Sequence, residues 1–159
     1  MKSNKASAVG LVVFLAIFYV RFEAGSLVTA ISVGTWYHGL NKAPFNPPEG
    51  TFSPVWVILY FLMAVAGWLI WRHGRSRSVT HALCAFAVQL TLNFVWSVLF
   101  FGFQRIGIAL AEMIVLLLTV VITVIMFWRI DYIAGMLIVP YLLWISFATV
   151  LTSYILILN

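Results

Sequence analysis

Residues 106–128 read IGIALAEMIVLLLTVVITVIMFW, and Glu112 is the single ionisable side chain among them. At a rise of 1.5 Å per residue, a helix of that length spans about 35 Å, more than the roughly 30 Å of a bilayer's hydrocarbon core. A transmembrane β-strand would alternate apolar and polar residues over about ten positions, whereas this run is continuous. In lipid the backbone has no water to bond with, so a helix that closes its own hydrogen bonds is the structure left. Outward from this run, four more stretches have the same character, at about 7–33, 53–71, 79–101 and 133–157. The expected fold class is therefore an all-α integral membrane protein, a bundle of five transmembrane helices forming one domain over residues 1–159.

Composition agrees. Hydrophobic residues make up 64% of the 159 positions and charged residues 8%, against about half and a quarter in soluble domains. The first span contains Arg21 and Glu23. Two positions apart on a helix, these side chains do not face each other. Each needs a partner elsewhere, or the span is tilted or frayed there. No small-residue cleavage site follows a short apolar core, so the span is read as retained rather than as a signal peptide.

The connections at about 72–78, 102–105 and 129–132 are short, which makes consecutive helices antiparallel neighbours. No internal repeat is visible, and an odd helix count speaks against the inverted-repeat plan of many transporters. One substantial loop remains, at 34–52, and its centre reads WYHGLNKAPFNPP (36–48). The formal charge is +5. Lys2, Lys5, Arg72, Arg75, Arg77 and Arg129 fall on one side of the spans, Lys42 and Arg105 on the other. By the positive-inside rule the N-terminus is cytoplasmic. WRHGRSRS (71–78) is thus a topology signal, and nucleic acid is not an expected partner. Cys84 is the only cysteine; it has no partner for an internal disulfide and is expected to be a small buried hydrophobe.

Polar groups in lipid are costly and turn toward the bundle interior. In the third span Gln89, Asn93, Trp96 and Phe100 fall on one helical face. Trp56 and Tyr60 share a face of the second span. In the fifth, Pro140, Trp144, Ala148 and Leu151 do so, with Thr152 beside them. Such faces can be plain packing, or they can wall a ligand cavity; a buried amide at Gln89 or Asn93 wants partners in either case. Trp36, Trp71 and Trp128 suit the aromatic belts at membrane interfaces. Glu112 is either an intramembrane functional carboxyl or a protonated group near the interface. Gly107 and Ala111 form a small-xxx-small pair suited to close helix packing and a dimer. His38, His73 and His81 are too scattered to clamp a haem iron from two sides. The one cysteine and four acidic residues do not suit a zinc or calcium cage, so no metal site is expected. Neither a Ser–His–acid set nor a phosphate-cradling loop is apparent.

Four motifs in order carry a resemblance: WY-x-x-L-x-K followed by PP (Trp36 to Pro48), P-x-W-x-x-x-Y (Pro54 to Tyr60), QL-x-LN-x-x-W-x-x-x-FFG (Gln89 to Gly102) and PYL-x-W-x-x-FAT-x-L (Pro140 to Leu151). In these the chain resembles the TspO family, the tryptophan-rich sensory proteins whose animal members are the mitochondrial translocator proteins or peripheral benzodiazepine receptors. The resemblance implies a five-helix bundle, usually a dimer, with a pocket capped by the loop between the first two helices. It implies a lid stiffened by Pro44, Pro47 and Pro48, since proline restricts φ, and contributing Trp36, Lys42 and Phe45. Lys42 would offer a cation to a carboxylate. Trp56, Tyr60, Asn93, Trp96, Trp144, Ala148 and Leu151 match pocket-lining positions, with Gln89 on the same face as Asn93.

The ligands so implied are tetrapyrroles, protoporphyrin IX or haem, and benzodiazepine-type molecules, with no cofactor required. The leading expectation is a tetrapyrrole-binding sensor or regulator of porphyrin homeostasis. Its alternatives are a light-dependent porphyrin-degrading enzyme using Trp56 and Trp144, a transporter of porphyrins or other amphipathic ligands, and a scaffold without ligand. Three positions depart from the family pattern: Ala43 stands where proline usually follows the lid lysine, Leu151-Thr152 replaces an LN pair, and no basic residue follows Tyr154. The last removes the animal cholesterol motif, so cholesterol recognition is not inherited. Without an animal-type tail or targeting segment, a bacterial cell membrane is favoured over a mitochondrial one.

Overall fold

The computed structural model describes residues 4–33 and 36–159. Lys2 of the charge argument and residues 34–35 of the loop lie outside them. The chain forms α1 (Asn4–Val33), a 3-10 turn (Tyr37–Gly39), α2 (Glu49–Arg72), α3 (Arg77–Ser97), a π-helical turn (Val98–Gly102), α4 (Ile106–Ile130) and α5 (Tyr132–Leu158). Among the described residues, five helices are long and apolar enough to cross a membrane. The protein is an all-α integral membrane protein.

Local chemistry explains where the helices start. Ser76 caps α3, its hydroxyl accepting from the Val79 N–H at 3.2 Å. Asp131 caps α5, with Oδ1 accepting from the N–H groups of Ile133 at 2.9 Å and Ala134 at 3.1 Å. Its Oδ2 lies 3.0 Å from His73 Nε2, which ties the end of α2 to the start of α5. Partial burial pushes the Asp131 carboxyl upward, but the His73 bond and the two backbone donors outweigh it and leave the group below its ordinary value. α2 begins at Glu49 rather than at 53, because the carboxylate of Glu49 suits the positive end of the helix dipole. α1 runs unbroken through Arg21 and Glu23.

Close approaches set the order of the bundle, in which α5 packs on α4 and α2, α3 on α4, and α1 on α2. A Cβ on Gly135 would lie 2.8 Å from the Trp128 Cα, so α4 and α5 meet backbone to backbone there. One on Gly67 would lie 2.7 Å from the Phe86 ring and 2.8 Å from that of Phe14. The Trp68 indole donates to the Ser7 carbonyl at 2.7 Å and joins α2 to α1. The core between these elements holds Phe18, Met63, Phe86, Leu116, Phe127 and Ile138. The outer faces are apolar too, with Phe61, Leu118 and Leu143 more than half exposed, as a surface bathed in lipid tails requires. Cys84 corrects the sequence-based expectation: it is exposed, on the outer side of α3. A lone apolar-run cysteine carries no signal of facing, because lipid accepts it as readily as a core does.

At the end of α3 the chain makes one wide turn. The Phe103 N–H reaches the Val98 carbonyl at 2.8 Å and the Arg105 N–H reaches that of Leu99 at 3.0 Å. Gln104 closes the turn with φ +56°.

Candidate ligand cavity

All five helices contribute to a cavity of about 370 Å³, within the range of small-molecule sites. Trp56, Tyr60, Asn93, Trp96, Trp144, Ala148 and Leu151 all line it. The wall is a connected set of rings. Trp56 stacks on Tyr60 with centroids 5.4 Å apart and meets Trp144 edge to face at 6.4 Å. Phe52 stands edge-on to Trp144 at 5.8 Å, and Trp96 stacks on Phe100 at 5.1 Å. Because Trp56 and Tyr60 are one turn apart on α2, and Trp144 lies opposite on α5, the indole pair spans the gap between two helices.

The polar part of the wall is built around Asn93. Its Oδ1 accepts from the Tyr60 hydroxyl at 2.9 Å and from Arg21 Nη2 at 3.0 Å. This supplies the partner that Arg21 required within its span. Gln89, one turn from Asn93 on α3, is fully buried, does not line the cavity, and has no hydrogen-bond partner on either amide atom among the described residues. Thr152, where the family pattern has an amide, spends its hydroxyl on the Ala148 carbonyl at 2.9 Å.

The loop lies across one end of the bundle. Tyr37 is buried and lines the cavity. Trp36, Lys42 and Phe45 do not line it and act one layer out. Trp36 packs edge-on against Phe100 at 5.4 Å, and Phe45 against Tyr154 at 5.1 Å. Lys42 Nζ sits 4.5 Å above the Tyr37 ring, a cation–π contact. Asn41 and Asn159 exchange hydrogen bonds, Asn41 N–H to Oδ1 and Nδ2 to the Asn41 carbonyl, both at 3.0 Å. His38 Nδ1 lies 3.1 Å from Glu49 Oε1. The loop is thus fastened to the C-terminal Asn159 by hydrogen bonds, to α5 through Phe45 on Tyr154, and to α2 through His38 and Glu49.

α1 supplies a wall that the sequence reading left empty, with Phe22, Gly25, Ser26 and Thr29 on the cavity. Their spacing of three and four was the available signal: a line of small and hydroxyl side chains on one face of an otherwise bulky span. Met113 of α4 and Glu49 of α2 were also not anticipated as lining residues.

The fold and the cavity define a class: a five-helix membrane protein whose bundle encloses a tryptophan-lined chamber beneath a fastened loop. Residues 9–158 match the model of the TspO/MBR family, and the chain belongs to that family. It is 40% identical to the tryptophan-rich protein TspO of Archaeoglobus fulgidus over 91% of this chain and 93% of that protein. It is 41% identical to a tryptophan-rich sensory protein of Cereibacter sphaeroides over 72% of this chain and 70% of that one. It is 35% identical to the translocator protein of Sus scrofa over 73% and 70% respectively.

Proposed function

We propose that this protein is a membrane sensor or regulator that binds a tetrapyrrole, protoporphyrin IX or haem, in the cavity under the 36–48 loop. Relatives named sensory and translocator proteins support the regulatory class. The observation that carries the ligand is the wall itself: Trp56, Trp96 and Trp144 offer flat apolar faces, and Asn93 offers one oriented polar group. A flat macrocycle wants such surfaces, with few polar contacts to fix its orientation. No further cofactor enters this proposal. It includes a bacterial cell membrane as the site, an N-terminus in the cytoplasm, and a homodimer, for which Gly107 and Ala111 stay exposed on α4.

One observation favours a second reading, light- and oxygen-dependent degradation of the bound porphyrin. The Trp56 and Trp144 indoles meet at 6.4 Å on the cavity wall, where excited ligand and oxygen would reach them together. Loss of porphyrin absorbance under light, absent in the dark, separates this reading from binding alone.

The test is a titration in the dark of purified protein with protoporphyrin IX, followed by quenching of tryptophan fluorescence. Wild type is expected to saturate at a fixed stoichiometry. Asn93→Leu and Trp144→Phe are expected to weaken binding at least about fivefold each, the equivalent of about 1 kcal/mol, while circular dichroism stays helical. Linear quenching, or equal quenching in all three proteins, would mean partition into the micelle and would sink the proposal.

A further inference from the structure

Arg21 is a cation set inside a membrane span, and among the described residues it forms no ion pair. Its Nη2 donates to Asn93, and the guanidinium carbon lies 4.7 Å from the centre of the Phe94 ring. Its Nε and Nη1 are buried and have no acceptor among the described residues. Glu23, two positions on, is exposed and cannot face it from the same helix. A buried charge with unmet donors is costly, and within a membrane span such groups pair or serve a ligand.

The position of the guanidinium indicates what would complete it. Nη1 stands 3.2 Å from where a Cβ on Gly25 would be, and Gly25 lines the cavity. Asn93, which holds Nη2, lines it as well. Arg21 therefore sits one layer behind the cavity wall, at Gly25, where the wall has no side chain. Gly25 sets no side chain between Nη1 and the chamber. Lys42, the cation that the family resemblance favours, is instead held over the Tyr37 ring outside the cavity.

We propose that Arg21 is the anion anchor of the cavity, taking the carboxylate of a bound amphipathic ligand on its unpaired N–H groups, with Asn93 and Phe94 holding it ready. The inference rests on the tetrapyrrole reading and adds to it a residue that selects carboxylate-bearing ligands over their neutral counterparts. Charge-assisted hydrogen bonds are stronger than neutral ones and geometrically demanding at guanidinium, so neutralising the carboxylate removes the contribution of Arg21.

The experiment compares protoporphyrin IX with its dimethyl ester, in the dark, on protein in zwitterionic nanodiscs, with empty nanodiscs subtracted. Wild type is expected to bind the free acid about tenfold more tightly than the ester, the scale of charged hydrogen bonds. Arg21→Gln, which can still donate to Asn93, is expected to lose that preference by weakening acid binding while leaving the ester within about twofold. Arg21→Lys is expected to retain part of the preference, and Lys42→Gln all of it. Wild type that binds acid and ester equally overturns the proposal without any variant. So does a preference that survives Arg21→Gln, one that vanishes in Lys42→Gln, or an Arg21→Gln defect equal for both ligands, all of which leave the pocket reading standing. Saturation by neither ligand overturns the pocket reading itself.

Discussion

At the scale of single residues, Asp131 shows how much one side chain outside the bilayer can organise. Its carboxylate caps α5 with one oxygen and meets His73 with the other. Removing a capping side chain costs about 1 kcal/mol, so Asp131→Ala is expected to lower the midpoint of thermal unfolding by that equivalent at pH 7. His73 is nearly half exposed, and the pair adds little beyond the cap. The folded carboxyl lies below its ordinary value, which gives a sign. Its stabilisation is fully present above the unfolded carboxyl's pKa, near 4, and fades as pH falls through the lower folded value. Wild type is therefore expected to converge on Asp131→Ala in acid, and a difference that stays constant from pH 7 to pH 3 would contradict this. Other residues were legible from spacing alone. Trp56 with Tyr60, and Asn93 with Trp96, follow helical spacing, and the structure sets all four on one cavity. The pairing of Arg21 with Asn93 was not legible, since it joins positions 72 apart in sequence through the packing of α1 on the bundle.

At the scale of elements, the hydrophobic runs located every helix because in lipid the apolar stretch and the span are the same object. The wide turn at Val98–Gly102 escaped, and for a physical reason. An extra residue in one turn leaves an unbroken apolar run unbroken, so composition carries no trace of it. Its effect is to bring the adjacent Phe100 and Phe101 both onto the cavity. The exit is strained, because Gln104 adopts φ +56°, a region where a residue with a Cβ pays about 1–2 kcal/mol. Gln104 is exposed and its side chain can be changed without disturbing the core. Gln104→Gly is expected to stabilise by about 0.5 kcal/mol after its larger unfolded-state entropy is counted. Gln104→Val is expected to destabilise by about 1 kcal/mol or more, β-branching being least tolerated there. Thermal unfolding of the two variants beside wild type would refute the strain if their order were reversed.

At the scale of the whole molecule, the two ends of the bundle are chemically distinct. His73 and Asp131 meet at one end, which therefore gathers Arg72, Arg75, Arg77 and Arg129. Asn41 and Asn159 meet at the other, where the loop carries Lys42 and the α3–α4 turn carries Arg105. With these four arginines and the N-terminal Lys2 and Lys5 against two cations, the first end is expected to face the cytoplasm. The chamber lies under the loop, at the end expected to face away from the cytoplasm. Two single-cysteine proteins in a Cys84→Ser background decide this. Ser78→Cys marks the arginine end, and Phe103→Cys, two-thirds exposed in wild type, marks the loop end. In intact bacterial cells a membrane-impermeant maleimide is expected to label Phe103→Cys and to reach Ser78→Cys only after lysis. The opposite pattern would turn the loop and the cavity beneath it toward the cytoplasm. Moving charge should then shift the balance: replacing Arg75 and Arg77 with glutamine narrows the imbalance from six against two, Lys2 and Lys5 included, to four against two. That variant is expected to keep the same majority orientation. Adding Lys2→Gln and Lys5→Gln, which leaves two against two, is expected to label at both ends in a mixed population; unchanged sidedness in the fourfold variant would assign orientation to something other than these charges.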